Sequence, residues 1–271
     1  MQRLKQEVKR FPRLERYSHH LGRMINLVKR LVSQGAYMGW SYLVLDDEKV
    51  VYLVIQKVAC TSIKASMVNL DSDEHYLSVI KAIRRTGHTV TALNAQDYRD
   101  YFVFTFVRNP FIRLISCYEN KYHPKRKPGQ TAPLKYDHYL MGYIRKDRGF
   151  RSFARRVSRI PDRIADSHFA SQSFMIDRMG QNPVPNFIGH FERLAEEYEP
   201  IRKKHDFMPL PHHNPTEKAV YWMDYYDLPT ARRVYRRYKK DVERFGYRSS
   251  YDELIAYLKS KKVRQPENPR P

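Results

Sequence analysis

Cysteine is almost missing from this chain. Two residues in 271, Cys60 and Cys117, are too few for a disulfide-stapled scaffold, and their spacing fits no zinc site. Long apolar runs are missing as well. No stretch of about 18 apolar residues occurs, so no membrane-spanning helix is expected. The ten glycines never fall into G-x-x-x-x-G-K-[ST], which argues against a nucleoside triphosphatase. A kinase-like phosphotransferase would need a glycine-rich loop and a metal-binding carboxylate at a strand end, and neither is evident. Zinc-finger spacing and RNP-type aromatic motifs are also lacking. The opening, MQRLKQEVKRFPRLERY, is too charged for a secretory signal. With so few cysteines, this predicts a reduced, cytoplasmic protein.

Negative charge is the other deficit. Twenty-nine Asp and Glu face 50 Lys and Arg, a formal net charge of +21. The excess is concentrated. Residues 1–35 hold nine positive and two negative charges, residues 230–271 hold 13 and five, and residues 121–163 hold 13 and three. Such blocks favour acidic partners, whether nucleic acid, anionic lipid or acidic glycan. Solvated helix faces would produce the same composition. At 42% hydrophobic and 13% aromatic residues, the chain can still bury a sizeable core.

Apolar residues recur at threes and fours over 3–34 and predict a basic helical extension, residues 1–35. Residues 41–56, SYLVLDDEKVVYLVIQ, predict two strands joined by an Asp-Asp-Glu-Lys turn, with a helix from about Ser62 to Asn69. The continuous apolar run YFVFTFV, 101–107, is the pattern of a strand buried on both faces of a parallel sheet. Pro110 suits the first turn of the helix that follows. The basic stretch to about 163 predicts helices with loops. A short strand is expected within 185–194, and a basic amphipathic helix over 230–247 ends at Gly246. The principal domain is thus 36–250, and 251–271 reads as a basic, disordered tail. Strand, loop, helix, then a second strand and helix is the grammar of an α/β domain with a parallel sheet.

Two strand-to-helix junctions carry the chemistry. In VIQKVACTSIKAS, Lys57 stands at a strand tip, and Thr61 and Ser62 add hydroxyls where a helix begins. Free amides and the dipole at a helix start bind phosphate or sulfate. A capped structural turn has the same letters. In FTFVRNPFIRLISCYENK, Arg108 stands at the tip of the buried run and offers a rigid fork of donors. Ser116 follows about two helical turns on. Here the alternative is an arginine paired with a carboxylate and a surface serine.

Taken together, these two segments resemble the carbohydrate sulfotransferases, in particular the chondroitin-type glycan sulfotransferases and their bacterial relatives. Weaker echoes are ADSHFASQ (165–172), NFIGHFERLAEEY (186–198), LPHHN (210–214) and VYRRYKKDVERFGY (234–247). One departure is Gln56, where the family commonly has proline before the lysine. The resemblance implies a P-loop-NTPase-like three-layer α/β fold, a central parallel sheet flanked by helices. It also implies sulfuryl transfer from 3′-phosphoadenosine-5′-phosphosulfate (PAPS) to a carbohydrate hydroxyl, leaving 3′-phosphoadenosine-5′-phosphate (PAP). By that match Lys57, Val58, Ala59, Cys60, Thr61 and Ser62 grip the 5′-phosphosulfate, and Arg108 and Ser116 bind the 3′-phosphate.

Lys57 and the helix start suit a leaving phosphate on which charge builds. The scheme requires no metal. Histidine is the commonest general base, and the resemblance puts His88, in RRTGHTVTAL, first for that role, with His168, in DSHFASQ, as its rival and His75 and Glu74 behind them. Lys125, Arg126 and Lys127 are the candidate acceptor-facing cations. The acceptor is expected to be a carbohydrate or glycan, acidic or lipid-linked, and the basic ends could add peripheral contact with anionic membrane. No specific nucleic-acid partner is expected. The competing reading is a basic protein that binds nucleic acid or anionic membrane and transfers nothing.

Overall fold

The computed structural model describes residues 41–70, 76–90, 93, 95–122, 142–144, 148–179, 184–211 and 221–263, together with four helical positions between 22 and 29. Lys125, Arg126, Lys127, Glu74 and His75 lie outside the described residues, as do most of the N-terminal extension and the last eight residues.

The fold starts with a hairpin. Strands β1 (Tyr42–Leu45) and β2 (Val50–Leu53) pair antiparallel, with Tyr42 opposite Leu53. The expected Asp-Asp-Glu-Lys turn joins them, closed by the Lys49 amide on the Asp46 carbonyl at 3.3 Å. Every residue of both strands is buried, so the hairpin lies inside the molecule. Helix α1 (Cys60–Met67) follows, starting two residues before the expected Ser62. Helix α2 (Tyr76–Arg85) leads to the short edge strand β3 (Thr89–Val90), antiparallel to β1.

Strand β4 (Phe102–Val107) is the predicted apolar run, and it pairs parallel with β2. Its Phe104 ring stacks on Tyr52 at 5.0 Å, and Thr105 donates from Oγ1 to the Leu53 carbonyl at 2.8 Å. Helix α3 (Pro110–Cys117) begins where proline allows it. The Asn109 side chain caps it, accepting from the Phe111 amide at 3.0 Å. A single π turn, Tyr118–Tyr122, extends it. Helices α4 (Gly149–Val157) and α5 (Gln172–Met179) precede strand β5 (Phe187–His190), which pairs parallel with β4. Helices α6 (Leu194–Lys204), α7 (Leu228–Arg237), α8 (Lys239–Arg244) and α9 (Arg248–Val263) complete the described chain.

The five-stranded sheet has the order β3-β1-β2-β4-β5. The expected parallel sheet is present as β2-β4-β5, and the hairpin adds an antiparallel wing. Helices flank it, as the α/β reading requires. Among the described residues, no helix is long and apolar enough to cross a membrane.

Two expectations are corrected. The basic helix over 230–247 is two helices, α7 and α8, which meet at Tyr238. That residue leaves helical geometry (φ −112°, ψ 23°), and its hydroxyl donates to the Phe169 carbonyl at 2.6 Å. The tail from 251 is helical as far as Val263. Tyr251, Leu254, Ile255 and Leu258 recur at helical spacing, Leu254 and Leu258 are buried, and Tyr251 stacks on Tyr235 at 4.2 Å. The charges and prolines beyond 258 obscured that apolar stripe.

Candidate functional site

Parallel strands β2 and β4 end side by side, so both junction loops emerge at the same edge of the sheet. Open α/β sheets bind ligands outside the carboxyl ends of their strands.

The first loop runs from Val54 to Ala59. Lys57 and Ala59 adopt left-handed backbone, φ 72° and 57°. For residues with a Cβ this is a strained choice, and strain of this kind clusters at ligand clamps. Ala59 is the N-cap of α1 and supplies no side-chain cap. The first intrahelical acceptor it offers goes to the Ile63 amide at 3.0 Å. The amides of Cys60, Thr61 and Ser62 precede that bond, so the helix start is open to an external acceptor. Lys57 sits in the same turn without a carboxylate partner among the described residues. Burial pushes its ammonium down to about 8, with Lys121 and Arg108 adding repulsion and the Cys117 and Cys60 thiols opposing it.

The second loop places Arg108 against the first. Its Nη1 donates to the Lys57 carbonyl at 3.1 Å, and its guanidinium lies 4.1 Å from the centre of the Phe191 ring. Gln172 clamps its backbone at both ends: Oε1 accepts from the Arg108 amide and Nε2 donates to the Arg108 carbonyl, each at 2.8 Å. Burial lowers the guanidinium to about 10, against the pull of Glu192. Arg108 Nε is buried and has no partner. Glu192 itself accepts from the Asn109 amide at 2.9 Å and the Tyr247 hydroxyl at 2.8 Å. Beside it opens a recess of about 530 Å³, lined by His190, Glu192, Arg193, Arg244 and Tyr247 among others. Ser116 is half-buried on α3.

Arg113 joins the site, and sequence reasoning missed it. It is 1% exposed and donates to three carbonyls: Gln56 at 2.9 Å, Ala170 at 2.7 Å and Ser167 at 2.9 Å. One side chain therefore ties the Lys57 loop to the segment carrying His168. Its position in the second motif, five residues after Arg108, was the available signal. Asp241 was also missed. It is buried and accepts from the Gln172 and Ser173 amides, both at 2.8 Å, so it fixes the residue that clamps Arg108.

The two histidine candidates separate. His168 is 16% exposed, and its Nδ1 is 2.5 Å from Asp166 Oδ1. Burial lowers its pKa, opposed by Asp166, while the charges of Lys121 and Lys57 lower it further. It therefore stands in the electrostatic field of Lys57. His88 is exposed on the approach to edge strand β3, two strands from β2, where its carbonyl accepts from the Val44 amide at 2.9 Å. Cys60 and Cys117 are both free and buried. Burial raises the Cys117 thiol to about 12, so it is inert at neutral pH.

A half-buried lysine, an open helix start and a half-buried arginine thus stand at adjacent parallel strand ends. The description of the sulfotransferase family fits residues 40–248. The chain belongs to the sulfotransferase family. Among known relatives, carbohydrate sulfotransferase 11 of Danio rerio is 32% identical over 92 residues, 30% of this chain and 26% of that protein. Carbohydrate sulfotransferase 12 of Xenopus laevis is 23% identical over 272 residues, 76% of this chain and 60% of that protein. The chain thus aligns with about a quarter of the first relative and three fifths of the second. No solved structure matches it significantly.

Proposed function

We propose that the protein transfers a sulfuryl group from PAPS to a hydroxyl of a carbohydrate or glycan. The observation that carries this reading is the pair of half-buried cations, Lys57 and Arg108, at adjacent strand ends. Lys57 has no carboxylate partner among the described residues, and the buried Arg108 Nε has no hydrogen-bond partner among them. A desolvated lysine with no carboxylate beside it calls for an anionic ligand. A nucleotide with phosphate groups at both its 3′ and 5′ positions fits two such points.

Lys57, the amides of residues 60–62 and the Thr61 and Ser62 hydroxyls would hold the 5′ end of PAPS. Arg108 and Ser116 would hold its 3′-phosphate. When bound, PAPS supplies an activated sulfuryl group and a phosphate leaving group. Lys57 and the α1 dipole oppose the negative charge that builds on that phosphate. Removing one such preorganised donor typically costs about 3 kcal/mol of barrier. His168 is the better-placed base. The hydrogen bond from Nδ1–H to Asp166 orients the ring, burial favours its neutral form, and Nε2 would take the proton of an acceptor hydroxyl. Arg113 and Gln172 orient these groups and touch no reacting atom.

Calorimetric titration with PAP tests the reading, using the wild type and Arg108→Ala, with ATP and generic DNA alongside. Micromolar binding of PAP that collapses in the variant supports it. Failure of the wild type to bind PAP, or equal affinity for ATP and DNA, overturns it.

A further inference from the structure

A second basic recess shares none of its lining residues with the two loops. It measures about 550 Å³ and is formed by the end of α4, the segment 158–162 and one face of α7. Helix α7 contributes Arg233, Arg236 and Arg237, at i, i+3 and i+4 on a single face. Arg155 and Arg159, again four apart, contribute the opposite wall. Among the described residues, Asp162 is the one carboxylate in the lining, and it is already engaged. It accepts from Arg237 at 2.5 and 3.1 Å and from the Ser171 amide and hydroxyl at 2.8 and 2.7 Å. Arg237 is 9% exposed, and its Nε is buried without a partner. Arg155, Arg159 and Arg236 are exposed.

Five arginines line one recess, and the one carboxylate among its described lining residues is already engaged. We propose that this recess is a second anion-binding site, apart from the transfer centre, that holds the carboxylate or sulfate groups of an acidic oligosaccharide. The assignment of the ligand as a sugar chain rests on the proposed glycan sulfation. The demand for an anion does not. Guanidinium forks take such oxyanions bidentately, and two facing rows suit a polymer that repeats its charge. The lining carries no aromatic ring on which a nucleobase would stack, which disfavours single-stranded nucleic acid. Its apolar members, Ile160 and Pro161, form no exposed large apolar patch that would enter a bilayer, which disfavours membrane.

The test is a titration of the full chain with a hyaluronan tetrasaccharide, which carries carboxylates alone, and with neutral chitotetraose. The R155E/R233E/R236E variant is compared with wild type at low and moderate salt. PAP affinity reports that the variant is folded, because none of the three residues lies in the transfer site. We expect the acidic tetrasaccharide to bind, the neutral one not to, and the variant to lose about tenfold or more at unchanged PAP affinity. Equal binding of the acidic tetrasaccharide by both proteins overturns the site. Tighter binding of an oligo-dT of matched charge, or of phosphatidylserine vesicles, overturns the sugar assignment. Tetrasaccharide binding that the variant loses, in a wild type that fails to bind PAP, leaves this site standing and removes the proposed activity. PAP binding without tetrasaccharide binding does the reverse.

Discussion

Raising the pH should weaken nucleotide binding through one residue, Lys57. Its ammonium is held at about 8, against an ordinary 10.5, because it is buried with Lys121 and Arg108 nearby. A bound phosphate restores the charged form. The group therefore gains a proton on binding wherever the free protein has lost it. The contribution is complete below about pH 8 and declines as pH rises through that value. If the complex recovers the ordinary 10.5, affinity should fall by about 20-fold between pH 7.5 and 9.5, close to 2 kcal/mol. The phosphates of PAP are already ionised over that range, so the change reports the protein. The assay is calorimetry in buffers of different ionisation enthalpy, which also counts the proton taken up. Lys57→Met should bind far more weakly and with a flat profile. A flat wild-type profile, or an equal slope in the variant, refutes the argument. The same burial predicts a stability gain. Without ligand, neutralising Lys57 removes a desolvated charge, so Lys57→Met should melt higher than wild type at pH 7, and the advantage should shrink as pH approaches 10.

Three further outcomes are expected. His168→Asn should lower kcat by about 10²–10⁴ with PAP affinity unchanged, while His88→Asn should leave kcat near wild type, and the reverse ranking in parallel assays would move the base to the edge strand. Arg113→Met leaves three buried carbonyls and costs about 3–5 kcal/mol in chemical denaturation, so a loss below about 1 kcal/mol would deny that it joins the two loops. Gly189→Ala should destabilise by about 1–3 kcal/mol, because its Cβ would overlap Phe106 Cε1 and meet Phe106 Cδ1 at 2.7 Å and Phe187 Cε1 at 2.8 Å. An unchanged melting temperature would show that the Phe106 ring can move aside.

The elements were legible wherever local chemistry decides them. The hairpin turn at Asp46–Lys49, the buried run 102–107 and the Asn109–Pro110 start of α3 all followed from short-range pattern. The two strand-to-helix junctions were legible for the same reason, since a strand tip, a cation and hydroxyls lie within a few residues of each other. What failed was local signal masked by charge, as in α9, whose apolar stripe sits among lysines and arginines.

The sequence by itself determined the two cofactor-type loops, the α/β grammar and the surplus of positive charge. Tertiary structure alone decided how far each charge is desolvated and what stands beside it. Periodicity cannot show that Arg113 reaches Gln56, Ser167 and Ala170, because those partners lie 54 to 57 residues away. Placement along the chain put His88 ahead of His168, and it carried no information on which of the two is enclosed. The difference is that one lies on an exposed edge, while the other is enclosed against Asp166 in the field of Lys57. Likewise, arginines at 155, 159, 233, 236 and 237 are ordinary helix-face residues in the sequence, and they form a recess because α4 and α7 pack together. Burial and proximity depend on contacts between distant segments, and these exist only once the chain has closed on itself.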